Sequence, residues 1–476
     1  MFASRSFKLT PWLPLVVMGL SLGYAVTVLT RLPWWTLFLI AAAWIGVGLK
    51  LRWGAPINAR YRPMWPWSLL PLSLFSVYVY LADSFGNVDL GAVFFHLQAG
   101  MAEHGGAGKM LLALTYTLTV LAVLVSVTWL SRHDQRWRLT ERFFAIALLA
   151  ANPLLYGIGQ RSAAIVTDDG AWLDRRYVPP PTGDQPDAPN LLLMYLESIE
   201  RTYSNELFGD AYADLTALGE RGLVFEGIHQ MENTGWTMAG MIASQCGTPL
   251  MPAGLLHDSQ FEPLHHVVPG VACLGDLLAG LGYRQTFMGG ASTEFAGKGL
   301  FYEDHAYDRV LGREQLAGRL DDPDYLNSWG LYDDSLYAMA EEEAMRLDRQ
   351  DGPWNLTVLN LTAHAPAGYP ARACQANQGE HDGVDILYAV KCSAWLTRRL
   401  IQRLGDQGLL EDTLVVIASD HLTMRVSAWD QLIQTPRTNT LMMMGNALTP
   451  QRISTTATTM DTLPTLLEAM GFTSRS

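Results

Sequence analysis

The segment GLVFEGIHQMENTGWTMAGMIASQCGTPL, Gly222 to Leu250, decides how the chain is read. It opens with a short apolar run, GLVFEGIHQ, of strand character. It then passes into residues with Met238, Ile242 and Ala243 at helical spacing. Thr234 falls at or just before the helix N-terminus, where unsatisfied backbone N–H groups and the helix dipole favour an anion. Two readings stand at this point. Thr234 or Thr237 caps the helix, as Thr commonly does, or the loop receives an anionic group.

The same alternation continues on both sides. NLLLMYL (Asn190–Leu196) is a short apolar run of the buried-strand type, followed by a helix-like Ala211–Arg221 closed by Gly222. Downstream come a short helix at Leu274–Leu281, YRQTFMGG (Tyr283–Gly290) and a long helical pattern around Trp329–Arg346. NLTVLNLTAH (Asn355–His364), a helix near Ile386–Leu404, TLVVIASDH (Thr413–His421), NTLMMMGN (Asn439–Asn446) and a last helix near Pro464–Met470 complete the order. Strands alternating with helices imply a largely parallel sheet with helices on both faces. Asn355 and Asn360 each begin an N-x-T triplet, but on a core strand they read as packing residues rather than glycan sites.

The first third is different. Five runs approach the length of about 20 residues that a membrane-crossing helix needs: Pro11–Thr30, Pro33–Leu49, Met64–Ala82, Met110–Leu130 and Arg142–Gly159, the last interrupted by Asn152 and Pro153. Trp34, Trp35, Trp65 and Trp67 stand at run edges, where amphipathic rings prefer the interface. Arg5, Lys8, Lys50, Arg52, Arg60, Arg62, Arg132, Arg136 and Arg138 occupy the connections on one side; Asp83, Asp89 and Glu103 occupy the connection Asp83–Lys109. The positive-inside rule then puts the N-terminus in the cytoplasm and everything after about Gly159 outside. The part of Asp83–Lys109 around Val93–Leu97 is apolar enough to lie at the interface and help lipid reach a site. Successive apolar runs fit a cleaved signal peptide poorly. A net charge of −13 over 476 residues argues against a nucleic-acid partner.

Tyr177–Asn190, rich in Pro and polar residues, reads as an extended linker. Cys246, Cys273, Cys374 and Cys392 all lie beyond it, in the part assigned to an oxidising compartment. Four cysteines allow three pairings; 246–273 with 374–392 closes the shortest loops. Four buried free thiols are the alternative.

Open α/β sheets collect functional groups beyond the carboxyl ends of their strands. Those ends offer Glu197, Thr234, His364 and the pair Asp420–His421. Each alone also serves as an ordinary cap or packing residue. Together a carboxylate, an Asp–His pair and a hydroxyl make an oxygen/nitrogen set for a divalent ion. A hydroxyl so activated, at a helix N-terminus, is suited to attack phosphorus.

LLLMYLESIERTY, GLVFEGIHQMENTGWTMAGMIASQCGTPL, FAGKGLFYEDHAYDRV, DYLNSWGLYDDSLY, VLNLTAHAP, CSAW and VIASDHL, in this order from Asn190 to Asn446, resemble the membrane-bound phosphoglycerol transferases of osmoregulated periplasmic glucans. More distantly they are similar to lipoteichoic acid synthases, within the alkaline phosphatase and sulfatase-like superfamily. The resemblance implies a transmembrane bundle of about five spans (residues 1–160), a periplasmic linker (161–189) and an alkaline phosphatase-like α/β domain (190–476), anchored in a bacterial inner membrane. It implies that Glu197, Thr234, Asp420 and His421 hold one divalent ion, Mn²⁺ foremost, with Mg²⁺ or Zn²⁺ as alternatives. It makes Thr234 the nucleophile, with Thr237 in support, His364 a substrate-contacting and proton-transferring residue, and Lys298 the cation for the phosphate or glycerol group. The implied reaction moves phosphoglycerol from phosphatidylglycerol to a periplasmic glucan and releases diacylglycerol. A phosphoethanolamine transferase and a non-catalytic envelope sensor are the rival readings. Sulfate-ester hydrolysis is disfavoured, because Cys246 is followed by GTPL rather than a C/S-x-P-x-R pattern.

Overall fold

The computed structural model describes residues 12–30, 32–54, 65–85, 107–133, 135–156, 159, 177–178, 188–250, 265–377 and 386–472. Strand β1 (Asn190–Leu196) explains the plan of the larger unit. Leu192, Met194 and Leu196 enter one hydrophobic core, while Leu191, Leu193 and Tyr195 enter another. A strand with a side-chain period of two and no polar face must be covered on both sides.

Around it lie β2 (Leu223–His229), β3 (Arg284–Gly289), β4 (Arg309–Leu311), β5 (Trp354–Leu359), β6 (Thr413–Ser419), β7 (Leu441–Met444) and β8 (Gln451–Thr458). Among the described residues they form one eight-stranded sheet, in the order β4-β3-β5-β1-β6-β7-β2-β8. β7 is antiparallel to both β6 and β2, and all other neighbours pair in parallel. Every strand except β7 therefore ends at the same sheet edge. Helices Ala213–Gly219, Asp333–Asp348 and Ile386–Asp406 cover the Leu192 face; Thr237–Cys246, Leu274–Gly280, Lys298–Asp304 and Thr462–Ala469 cover the Leu191 face. The expected mainly parallel sheet between two helical layers is present.

Local departures have local causes. The helix expected from Trp329 starts only at Asp333, because the Asn327 side chain accepts from the backbone of Trp329 and Gly330 and holds a turn there. β8 gave no strand signal because QRISTTAT is a largely exposed edge without apolar alternation. Asn355 and Asn360 are fully buried; the Asn355 amide donates to Gln285 within the sheet, and that of Asn360 to Ser393 on a covering helix. Disulfides join Cys246 to Cys273 and Cys374 to Cys392. Of the linker, residues 179–187 lie outside the described set; Tyr177 is docked, its hydroxyl accepting from the Ala272 backbone N–H at 2.8 Å.

The N-terminal unit is helical, with elements Trp12–Thr30, Thr36–Gly54, Trp65–Phe85, Ala107–His133 and Arg138–Ala150. These fall on the five apolar runs. Thr36–Trp53 is long and apolar enough to cross a membrane, and Trp12–Thr27, Trp67–Tyr80 and Leu114–Val127 are shorter apolar helices. The first two helices pack closely: a Cβ on Gly23 would lie 2.6 Å from the Leu37 carbonyl oxygen, and one on Gly19 3.0 Å from that of Ala41. Such small-residue contacts suit helices that cannot rely on a hydrophobic driving force. Asn152 does not simply interrupt the last run. Its amide donates to the Pro71 carbonyl, and its oxygen accepts from Leu154 and Leu155 to restart the helix. Large exposed apolar side chains concentrate here, from Trp12 to Tyr156, with Val178, Leu207 and Ile433 the described exceptions. Arg5, Lys8, Arg60, Arg62, Asp89, Glu103 and the apolar stretch around Val93–Leu97 lie outside the described residues.

Candidate functional site

Three adjacent central strands deliver the first groups. β1 runs straight into Glu197, β6 into Asp420 and His421, and β5 leads through a short turn to His364. Glu197, Asp420 and His421 are each no more than 3% exposed, and one ligand atom from each lies within 4.8 Å of the others. His421 Nε2 is 3.4 Å from Glu197 Oε1 and 3.3 Å from Asp420 Oδ2.

The backbone fixes these side chains. The Glu197 N–H donates to Asn360 Oδ1 at 2.7 Å, tying β1 to the end of β5. Asp420 Oδ1 accepts from the backbone N–H groups of Ser198 and His421, both at 2.9 Å. Ser198 takes a left-handed conformation (φ 60°) that points this N–H at Asp420, while its hydroxyl donates to Glu197 Oε1. A non-glycine residue in that region is uncommon and typical of over-determined functional sites. Further out, Arg437 clamps the buried Glu200 and the Thr423 carbonyl, and Gln230 Oε1 accepts from the Leu422 N–H. The loops after β1, β2 and β6 are thereby locked together.

The hydrogen bonds also set the electrostatics. A carbonyl only accepts, so the His421 Nδ1, 2.7 Å from the Leu422 carbonyl, carries a proton. In the neutral ring Nε2 is then a lone pair facing two carboxylate oxygens. Neither Nε2 nor Asp420 Oδ2 has a hydrogen-bond partner, although both are buried. Three electron-rich atoms around one buried space are stable only with a positive charge between them. With a proton as that charge, the shifts follow. Burial alone would lower the His421 pKa, but Asp420 and Glu197 push it up to about 9. Burial, reinforced by Glu197, pushes Asp420 up to about 7. Burial disfavours ionised Glu197, yet His364 and His421 hold it well below the usual carboxylate range. The donor set of two carboxylates and an imidazole, with two orphaned atoms, equally fits a divalent cation.

The structure separates the two threonines. Thr234 is fully buried, and its hydroxyl is engaged within its own turn, donating to the Met231 carbonyl at 2.9 Å and accepting from the Met231 N–H at 3.1 Å. Thr237 is half-buried, begins the helix Thr237–Cys246, and its hydroxyl donates to Glu197 Oε2 at 3.4 Å. Trp236 at the cap position makes no side-chain capping bond. The helix is anchored by Tyr195, whose hydroxyl meets Ser244 at 2.6 Å, and by a close approach of Gly240 to Asp420. A sequence signal for Thr237 existed: the apolar spacing starts at Met238, so the first helical hydroxyl is Thr237.

His364 is half-buried, and its Nδ1 faces the Ala365 carbonyl at 2.8 Å, which makes Nε2 the lone-pair nitrogen. Its charge favours ionised Glu197, so the two groups are close enough to interact electrostatically. Lys298 is buried; its ammonium donates to the Phe295 carbonyl and sits 4.5 Å from the Phe295 ring centroid. Phe295 meets Trp329 edge-on at 5.6 Å, and Trp329 overlies His364 at 4.0 Å. Lys298 and the centre are thus linked by a run of rings that sequence reading did not anticipate. A second cluster, Cys273, Asp276 and His305, also has metal-like spacing, but the Cys273 sulfur is spent in its disulfide.

Comparison with known proteins agrees with this architecture. The family model described as Sulfatase matches residues 189–472. Among curated proteins the chain is similar to phosphoglycerol transferase I of Shigella boydii serotype 18, at 30% identity over 85% of this chain and 53% of that one. It is similar to phosphoglycerol transferase I of Escherichia coli O6:K15:H31 at 31% identity with the same coverage. The chain therefore spans about half the length of these relatives. A solved protein of the alkaline phosphatase superfamily from Vibrio parahaemolyticus shares the fold, with a TM-score of 0.51 and 23% identity over 63% of this chain and 70% of that one.

Proposed function

The chain belongs to the sulfatase family, and we propose that it is a metal-dependent phosphoglycerol transferase of the bacterial inner membrane, taking phosphoglycerol from phosphatidylglycerol and passing it to a periplasmic glucan. In this reading residues 1–160 form a bundle of about five crossings, residues 161–189 a linker and residues 190–476 the periplasmic domain. The exposed apolar side chains of the helical unit, the side bias of its basic residues and the two disulfides beyond it support that placement.

One observation carries the reading. A threonine hydroxyl at a helix start donates to Glu197, beside two orphaned donor atoms from Asp420 and His421. Glu197, Asp420 and His421 would hold the divalent ion, for which Mn²⁺ is the expected species and Mg²⁺ or Zn²⁺ the alternatives. Bound there, such an ion neutralises phosphoryl oxygens and acidifies a nearby hydroxyl.

The protein's own groups then carry out two displacements. First, Thr237 Oγ bonds to phosphorus, the phosphorus–oxygen bond to diacylglycerol breaks, and the Thr237 proton ends on the diacylglycerol oxygen. Second, a glucan hydroxyl bonds to phosphorus, the bond to Thr237 breaks, and the glucan proton returns to Thr237. The N–H groups of the helix start stabilise the phosphoryl oxygens in both. His364 Nε2, the lone-pair nitrogen, relays the proton. Thr237 replaces Thr234 as the attacking residue on grounds of burial and contact; Thr234 shapes the loop. Sulfatase-type chemistry at Cys246 is ruled out by its disulfide.

The test is donor choice. Full-length protein in detergent, given phosphatidylglycerol or phosphatidylethanolamine with a gluco-oligosaccharide, should release diacylglycerol only from the former and label the oligosaccharide. Release only from phosphatidylethanolamine would replace the reading with phosphoethanolamine transfer, and release from neither would leave a non-catalytic sensor.

A further inference from the structure

Two loops at the carboxyl edge of the sheet carry rings that the transfer chemistry does not use. Trp329 stands at the tip of the turn Asn327–Gly330. The Asn327 side chain binds that turn, and Gly330 pins it to the end of β3: a Cβ on Gly330 would lie 2.0 Å from the Gly290 carbonyl oxygen. The adjacent Leu331 N–H donates to that same carbonyl at 2.9 Å. Trp329 is therefore held by backbone at both ends of its turn rather than by chance side-chain packing. Phe295 follows β3 directly and meets the indole edge, while His364 lies beneath the indole on the catalytic side.

All three rings are half-buried, so the run is a partly open wall and not a core. Its rim is polar. The exposed Ser328 hydroxyl meets the Tyr369 hydroxyl at 3.0 Å, and Tyr369 is fixed by its N–H donating to the Thr362 carbonyl at 2.6 Å. Rigid rings bordered by hydroxyls, beginning beside a group-transfer centre, match the chemistry of a sugar ring. The C–H face of a pyranose is flat and apolar, while its edge carries donors and acceptors. A glycerophosphoryl group is acyclic and has no such face. An acyl chain has no use for the hydroxyl rim.

We infer that Trp329, with Phe295 beside it and Ser328 and Tyr369 at its rim, is the subsite that receives a sugar ring of a neutral glycan acceptor. The inference rests on the transferase reading, to which it adds where the acceptor sits. Stacking on Trp329 holds the sugar next to His364, so that one of its hydroxyls reaches phosphorus as the second displacement requires.

The test separates binding from turnover. Full-length protein carrying Thr237→Ala is titrated with a neutral gluco-oligosaccharide by calorimetry, with and without Trp329→Ala or Trp329→Phe. The dissociation constant should rise about ten-fold for Trp329→Ala, a difference near 1.4 kcal/mol, and recover to within about three-fold for Trp329→Phe. In the otherwise wild-type chain, Trp329→Ala should raise KM for the oligosaccharide at least about three-fold more than KM for the phosphatidylglycerol donor, since stacking holds the acceptor of the second step. Equal oligosaccharide binding by all variants, or a rise confined to KM for the lipid donor, overturns the proposal; the latter would assign the wall to the acyl chains. Absence of oligosaccharide binding by the Thr237→Ala parent overturns it too. Failure of the transferase reading shows separately, as no diacylglycerol release by the wild type. Unchanged melting of Trp329→Ala excludes loss of fold as the cause.

Discussion

Gly240 lies against the backbone of Asp420 so closely that a Cβ on Gly240 would fall 1.7 Å from the Asp420 carbonyl oxygen. The helix that starts with Thr237 is therefore seated directly on the loop that presents two of the three candidate metal ligands. Gly240→Ala must push helix and loop apart, at a cost of at least about 1–3 kcal/mol. A lower melting temperature together with loss of lipid turnover is expected. Normal turnover at an unchanged melting temperature would mean that this contact does not set the distance between Thr237 and Glu197.

The threonines give opposite expectations. Thr237→Ala should lower diacylglycerol release at least ~10³-fold, as removal of a nucleophile does. Intact-mass measurement after incubation with phosphatidylglycerol should show a glycerophosphoryl adduct on wild type and none on the variant. Thr234→Ala loses both hydrogen bonds that its hydroxyl makes to Met231, so a stability loss of about 1–3 kcal/mol with turnover within ~10-fold is expected. An adduct mapped to Thr234 would reverse the assignment.

Chelated protein should melt at a higher temperature when a divalent ion is returned. Saturation at 100 times the dissociation constant stabilises by about 2.7 kcal/mol. Asp420→Asn removes one of the two orphaned acceptors and should abolish the response to Mn²⁺, Mg²⁺ and Zn²⁺ alike. A response that survives the substitution would place the ion elsewhere.

Asp333 offers a pH readout away from the centre. Its carboxylate is fully buried, where it accepts from the N–H groups of Leu361 and Thr362 and so shapes the turn before His364. Burial pushes its pKa up to about 6 from 3.8. A raised carboxyl pKa means that the folded state holds the proton more tightly than the unfolded chain. Its contribution is thus most favourable below pH 3.8 and is lost as pH rises through about 6, a change of about 3 kcal/mol. Thermal melts of Asp333→Asn between pH 4 and 7 should lack this component. An unchanged pH profile would show that Asp333 titrates normally.

Much of this architecture was legible because it rests on patterns short in sequence. β1 and β6 are apolar on both faces, and that alone announces a covered, parallel sheet. Once the strands were placed, their ends named Glu197, His364, Asp420 and His421 without further information. Three things were hidden. The edge strand β8 is solvated, so no burial constrains its residues to alternate. The choice between Thr234 and Thr237 depends on which hydroxyl the turn at Met231 consumes, a matter of three residues that capping preference cannot resolve. The wall at Trp329 joins loops from β3 and β5 across the fold, and a helical pattern running up to Trp329 disguised the turn.

The antiparallel β7 has a consequence for how such a site changes over time. It separates β6 from β2, so the candidate ion ligands come from neighbouring central strands while the proposed attacking residue arrives on a helix that follows β2, beyond β7. The two halves meet where Gly240 lies against Asp420, Gln230 accepts from Leu422, Ser244 meets Tyr195 and Thr237 donates to Glu197. A substitution in the loop 230–237 would change the proposed nucleophile while the candidate ligands Glu197, Asp420 and His421 stay on their own strand ends. The scaffold thus carries the proposed nucleophile and the candidate ligands on separate elements of one sheet.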